Sequence, residues 1–188
     1  ELPNRILFSD RLSQAIHLAE RNRRFLGVLF LDLDGFKMVN DTMGHRGGDD
    51  LLKEISQRLV SHLRKTDTVG RFGGDEFLIL INNLRDEEDI MKTAELVMST
   101  FKHPFKVFGQ EFYVSASAGV AMYPFDGEDT ETLIKNADTA MYMAKERGKN
   151  QYVMCTSDMK EEVRRKSQLS SQLRQAQERE ELILYYQP

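Results

Sequence analysis

The chain has 188 residues, 40% of them apolar and 30% charged, which is length enough for one domain with a real core plus a short extension and excludes a disordered polymer. Its formal net charge of -4, with acids and bases interspersed, argues against a nucleic-acid binder that relies on a basic face. Cys155 is the only cysteine, which excludes an internal disulfide and fits a reducing cytoplasm, and the densest apolar run, Val28 to Leu33, is far too short to span a bilayer. The opening Glu1-Leu2-Pro3-Asn4-Arg5 lacks an initiator Met and a signal peptide and reads as the middle of a longer protein, in which a membrane tether would lie outside this segment.

Ser9-Asp10 before Leu12, Ile16, Leu18 and Ala19 predicts a capped amphipathic helix to about Arg24, its basic end suiting the helix dipole. Gly27 then opens Val28 to Asp34, apolar on both parities, a central strand buried on both faces. Asp32 and Asp34 fall on the same side as Val28 and Phe30, at a strand end where layered α/β proteins place their sites, although Asp34-Gly35 is also a plain turn sequence. Phe36 to Asp50, rich in Asn, Asp, Gly and His, reads as only partly regular, with Lys37 close to the aspartates. Leu51, Ile55, Leu59 and Leu63 predict a helix through about Lys65.

Thr68 to Phe72 and Phe77 to Ile81 flank Gly73-Gly74, the pattern of a β-hairpin, with Asp75 and Glu76 directly after the turn. Acids are depleted in strands and costly to bury, so this pair either points into solvent at the hairpin tip or serves chemistry. Asp86-Glu87-Glu88-Asp89 starts a helix with Ile90, Ala94, Val97, Met98 and Phe101 on one face, ended by His103-Pro104. A hairpin around Gly109-Gln110 leads into an inner strand, Tyr113 to Met122. Asp129-Thr130 introduces a helix with Leu133, Ile134, Ala137, Ala140, Met141 and Ala144 on its buried face, Tyr142 and Met143 as core packing and Gly148 as C-cap. Thr156 to Glu181, charged and nearly free of glycine, reads as a connecting helix, and Leu182 to Pro188 as the start of another strand.

If the strand of Asp32 lies beside the Gly73-Gly74 hairpin, three carboxylates converge without a matching basic cluster. Hard oxygen donors of that kind point to magnesium or manganese, two ions of which can activate a hydroxyl and stabilise charge on a phosphoryl group. No Gly-rich phosphate loop is present, so phosphates would be held by backbone amides near Leu33 to Lys37 and by distant cations such as Lys145 and Lys149. This chemistry is metal-assisted phosphoryl or nucleotidyl transfer.

Gly73-Gly74-Asp75-Glu76-Phe77 resembles the signature of the GGDEF family, the diguanylate cyclases. The resemblance runs from about Leu2 to Val153 and takes in Leu2-Pro3-Asn4-Arg5, Asp32 to Lys37, Asn40-Asp41, Gly44-His45, and Ala137-Asp138 through Ala140, Tyr142, Ala144-Lys145, Gly148 and Asn150. It implies an α/β (α+β) fold like the nucleotidyl cyclase and polymerase palm, a mostly antiparallel five-stranded sheet flanked by helices. It also implies the condensation of two GTP to cyclic di-GMP and two pyrophosphates. Asp32 and Glu76 resemble the family's magnesium ligands, with the Leu33 carbonyl assisting. Asp75 is similar to its essential acid, as metal ligand or as base, and the catalytic set is completed by Glu76 and Lys37. Asn40 and Asp49 fall where guanine is read, Lys37 and Lys145 at phosphate-contacting positions, and Phe36 among the GTP-binding residues. Lys149 stands where arginine is usual, which replaces a forked contact by a point charge. Arg64 and Asp67 match the product-inhibition site for cyclic di-GMP, although Arg64-Lys65-Thr66-Asp67 is also an ordinary helix exit.

Each GTP supplies both attacking hydroxyl and electrophilic phosphorus, so two domains must face one another, and the expected state is a homodimer, transient in the absence of an evident permanent interface. Leu173-Arg174 and Glu180 through Tyr185-Tyr186-Gln187-Pro188 resemble the first residues of an EAL phosphodiesterase domain. The expected organisation is a GGDEF domain over 1–155, a helical linker over 156–181 and the start of an EAL domain over 182–188, with a sensory region before Leu2 in the longer protein. A catalytically silent GTP-binding module that regulates the neighbouring hydrolase is the alternative function.

Overall fold

In a computed structural model, residues 2–179 and 181 are described, and the residues 182–188 expected to open an EAL domain lie outside them. The chain divides into two units, one ending at Cys155 and the other beginning at Thr156. In the second unit, α5 (Ser157–Glu178) starts at Thr156, whose hydroxyl accepts from the Met159 amide. Among the described residues no helix is long and apolar enough to cross a membrane.

The first unit runs α1 (Arg5–Asn22), β1 (Phe25–Asp34), α2 (Phe36–His62), β2 (Thr68–Gly73), β3 (Glu76–Leu84), α3 (Glu87–Ser99), β4 (Phe105–Val107), β5 (Gln110–Phe112), β6 (Ser115–Tyr123), α4 (Thr130–Glu146) and β7 (Tyr152–Met154). Five strands form one sheet in the order β2-β3-β1-β6-β7, antiparallel throughout except for the parallel pair β6 and β7. The α/β class with a mostly antiparallel five-stranded sheet is therefore present. β4 and β5 make a separate small hairpin.

β1 is central, which explains its apolar residues on both parities. Leu29, Leu31 and Leu33 share one core with Phe77, Ile79, Leu51, Ile55 and Ile90. On the opposite parity, Val28 and Phe30 are buried on the side to which α4 and α1 contribute Leu133, Ala137, Ala140, Phe8 and Leu12. Asp32 continues that second parity to the strand's end.

Several sequence-based boundaries move. The cap of α1 is Asn4, whose side chain accepts from the Leu7 amide at 3.0 Å, and not Ser9-Asp10; Asp10 lies inside the helix and bonds Gln14 one turn on. Gly27 lies within β1 and does not open it: a Cβ there would overlap the Ile90 side chain. The segment Phe36 to Asp50 is helical, not partly regular, because Phe36 and Val39 bury on the core and carry the glycine-rich turn with them. The expected irregularity survives as one kink at Gly44, with φ 71° and ψ 170°. α2 ends at His62, short of Lys65, and β6 starts at Ser115. The C-cap of α4 is Arg147, with Gly148 following at φ 109°. Met143 is buried as expected, whereas Tyr142 is 43% exposed.

Candidate active site

The hairpin brings the acids to β1. Glu76 is the register partner of Asp32 across β1 and β3, and Ser117 is its partner on the other side. The turn is fastened through main-chain groups: the Leu33 amide donates to the Asp75 carbonyl at 3.3 Å, and the Arg71 guanidinium donates twice to the Gly74 carbonyl at 2.9 and 2.7 Å. Gly74 sits at φ 51°, which a glycine adopts without strain. Arg71 is itself tied to the chain entry, its amide donating to the Pro3 carbonyl at 3.0 Å.

Asp32 is 9% exposed, and the Lys145 ammonium pairs with its Oδ1 at 2.8 Å. Burial raises the Asp32 carboxyl above the ordinary carboxylate range; Lys145 pulls it down by hydrogen bond and charge, and Asp75 and Asp34 push it up again. Glu76 is raised by burial and then by Asp32, Asp138 and Asp75, with Lys145 opposing. Asp138, exposed as a residue, has a carboxyl raised by desolvation, again opposed by Lys145. The acids thus have a basic partner in Lys145, which comes from the last turn of α4.

Among the described residues no group of three His, Cys, Asp or Glu is already arrayed to hold a metal, yet Asp34 and Asp75 lie near enough to Asp32 for their charges to raise its carboxyl, and Asp75 acts on Glu76 as well.

Asp34-Gly35 does form the turn from β1 into α2, with Gly35 at φ 75°, and the Asp34 side chain has a further use. Its carboxylate accepts from the Ser115 and Ser117 hydroxyls, both at 2.8 Å, and from the Asn150 amide at 3.1 Å, so it fastens β6 and the loop after α4 to the end of β1. Lys149 precedes that anchor at φ 63° and is exposed. Phe36 and Lys37 open α2 directly after Asp34-Gly35, and Gly35 caps the helix without a side-chain hydrogen bond, which leaves first-turn amides facing the site end of β1. Asn40 lies one turn on. A Cβ at Gly48 would collide with its side-chain oxygen and with the Phe36 ring, so the glycine makes room for both.

Beside the hairpin lies an open cavity of about 1230 Å³ lined by Pro3, Asn4, Asp49, Lys53, Gln57 and Arg71. It contains Asp49 but not Asn40. A second cavity of about 590 Å³ is lined by Arg5, Phe30, Phe72, Glu76, Ile134 and Asp138, with the Arg5 guanidinium 4.6 Å above the Phe72 ring. Arg64 and Asp67 line neither cavity. The Asp67 carboxylate closes its own turn, accepting from the Arg64 amide at 3.1 Å and the Asn82 amide at 3.2 Å, while Arg64 is exposed. Arg71 and Asp138 escaped the sequence reading as site residues. Asp138 had a signal, standing seven residues before Lys145 and so on the same helix face.

Residues 1–151 match the family described as diguanylate cyclase, GGDEF domain. The chain belongs to the GGDEF family. It is 46% identical over 188 residues to the bifunctional diguanylate cyclase/cyclic di-GMP phosphodiesterase MucR of Pseudomonas aeruginosa, covering 100% of this chain and 27% of that protein. It is 40% identical over 187 residues to the cyclic di-GMP phosphodiesterase PdeR of Escherichia coli, covering 100% of this chain and 28% of that protein. Among solved structures, the GGDEF domain of TpbB from Pseudomonas aeruginosa superposes with a TM-score of 0.84 at 35% identity, covering 87% of this chain and 95% of that one. The chain thus spans about a quarter of the length of these curated relatives.

Burial and the neighbouring acids make the Glu76 charge costly in the folded domain. Glu76→Gln is expected to raise the melting temperature in chelator by roughly 2–4 °C, since it removes a desolvated charge beside Asp32. The folded-state value of Glu76 is raised, so its penalty is full above that value and fades as pH falls towards 4.5. The gain should therefore be largest near neutral pH and shrink on acidification. A gain that grew as pH fell would contradict this electrostatic account.

Proposed function

We propose that this GGDEF domain is a diguanylate cyclase. The observation that carries the reading is the register pairing of Asp32 with Glu76 at the mouth of an intact Gly73-Gly74-Asp75-Glu76-Phe77 hairpin. The 3'-hydroxyl oxygen of one GTP attacks the α-phosphorus of the other, the bond from that phosphorus to the leaving pyrophosphate breaks, and a hairpin carboxylate, Asp75 or Glu76, takes the proton. The same step in the opposite sense closes the ring and releases the second pyrophosphate. Two domains face each other as a homodimer, since each GTP is both nucleophile and electrophile.

The donor set fits a divalent cation: two carboxylates and a main-chain carbonyl, all hard oxygens, with both carboxyls raised first by burial and then by neighbouring acids. Asp32, Glu76 and the Leu33 carbonyl would hold magnesium or manganese. The metal, when bound, neutralises charge on the phosphates. The first-turn amides of Phe36 and Lys37, the Lys37 ammonium and Lys145 with Lys149 orient the triphosphate, and Asn40 with Asp49 reads guanine.

Incubation with GTP and magnesium tests the reading: cyclic di-GMP should appear. A dimeric, folded domain that binds GTP without turnover would overturn it. That outcome favours the second reading, a silent GTP-binding module controlling an EAL hydrolase, which the phosphodiesterase name of PdeR supports. Product inhibition at Arg64 and Asp67 is part of the proposal. Arg64→Ala should weaken cyclic di-GMP binding tenfold or more in a calorimetric titration, and equal affinity in the two proteins would remove the assignment.

A further inference from the structure

The Lys145 ammonium stands 2.8 Å from Asp32 Oδ1, on a carboxylate otherwise surrounded by acids. Asp34 bears on it from the same strand and Asp75 from the turn, while Glu76 lies alongside on β3 and is itself pressed by Asp138 of α4. Lys145 is a cation that acts on both Asp32 and Glu76.

The two partners differ in their freedom to move. Asp32 belongs to a strand paired on both sides, and its side chain is 13% exposed. The Lys145 side chain is 32% exposed and reaches the site on a four-carbon stem from the end of a helix. When the pair opens, the lysine leaves and the carboxylate stays.

We propose that Lys145 is a resident counter-ion that holds the Asp32 position against free divalent cations, so that metal and nucleotide enter the site together. The inference rests on the metal-and-GTP reading given above. A divalent ion on the Asp32 carboxylate meets the ammonium as a like charge and must displace it. Alone, the ion exchanges one cation for another in a cluster already partly neutralised. Accompanied by a triphosphate, the displaced ammonium finds phosphate oxygens in place of the carboxylate it left. Metal and nucleotide then raise each other's affinity by the same factor, as linkage requires. With Lys145 neutralised, Asp32 is a buried carboxylate without its partner and takes an ion directly.

Manganese titrated into the whole 188-residue chain, with free Mn2+ read by electron paramagnetic resonance, tests this with and without 3'-deoxy-GTP, which cannot form product. The wild type should bind Mn2+ at least about tenfold more tightly with the analogue than without it. Lys145→Met and Lys145→Gln should tighten nucleotide-free binding by about tenfold and lose most of the coupling, whereas Lys145→Arg should behave as wild type. Adding Asp32→Asn to Lys145→Met should cancel the gain. Nucleotide-free affinities equal in the wild type and both neutral variants, with analogue-dependent binding intact, overturn the counter-ion role alone. Failure of the wild type to take up Mn2+ even with the analogue removes the metal-and-GTP reading of the site, and the present inference with it.

Discussion

Asp75→Ala should lower cyclic di-GMP formation by roughly 10³-fold while leaving the fold and nucleotide binding in place. The separation is possible because the structure uses Asp75 in two independent ways. Its main-chain carbonyl receives the Leu33 amide, next to the Gly74 carbonyl held by Arg71, and neither bond involves the carboxylate. The side chain makes no hydrogen bond that fixes the turn; its charge pushes up the carboxyls of Asp32 and Glu76. Removing it relieves repulsion, so thermal stability should hold or rise slightly. Asp75→Asn and Asp75→Glu then separate roles. If Asp75 is the proton acceptor, Asn falls as far as Ala and Glu recovers part of the rate. If it acts as a metal ligand, added Mn2+ should partly rescue Asn. Steady-state turnover measured beside GTP affinity decides, and retained turnover in Asp75→Ala would refute the site.

What the sequence made legible follows the range of the interactions involved. The Gly73-Gly74 hairpin and the doubly buried β1 could be read because their signals are local: a turn between apolar runs, and apolar residues on both parities. The first half of α2 could not, since its Asn and Gly content argues against a helix and only the burial of Phe36 and Val39 overrides it. At the site, Asp32 and Glu76 stood out as acids at the ends of apolar strands, and the register places them side by side. The partner of Asp32 did not stand out, because Lys145 lies more than a hundred positions away and nothing near Asp32 specifies it. The anchoring role of Asp34 stayed hidden for the same reason: its three donors come from Ser115, Ser117 and Asn150. Asp67 shows the limit of motif reading, since the carboxylate that fits a ligand site also closes a turn.

The close seat of α4 on the sheet makes Gly119→Ala the substitution with the largest expected effect on stability. Gly119 lies in β6 between Phe30 of β1 and Val153 of β7, in the middle of the sheet. A Cβ there would overlap the Ala137 carbonyl oxygen, the Met141 amide nitrogen and the Ala140 carbonyl carbon, all main-chain atoms of α4. The helix comes this near because Ala137, Ala140 and Ala144 leave no side chains to hold it off. Main-chain atoms within a helix cannot rotate aside, so α4 must shift as a body, at a cost of about 3 kcal/mol or more, a large part of a domain's net stability. Gly27→Ala supplies the contrast. There the Cβ meets the end of the Ile90 side chain, which can change rotamer, and the expected loss is about 1 kcal/mol. Urea unfolding of the two variants beside wild type measures both, and a Gly119→Ala loss no larger than that of Gly27→Ala would contradict the close approach. The same displacement reaches function, since α4 carries Lys145 to Asp32 and Asp138 towards Glu76. Gly119→Ala should therefore lose cyclase turnover at temperatures where its circular dichroism is still that of the folded domain.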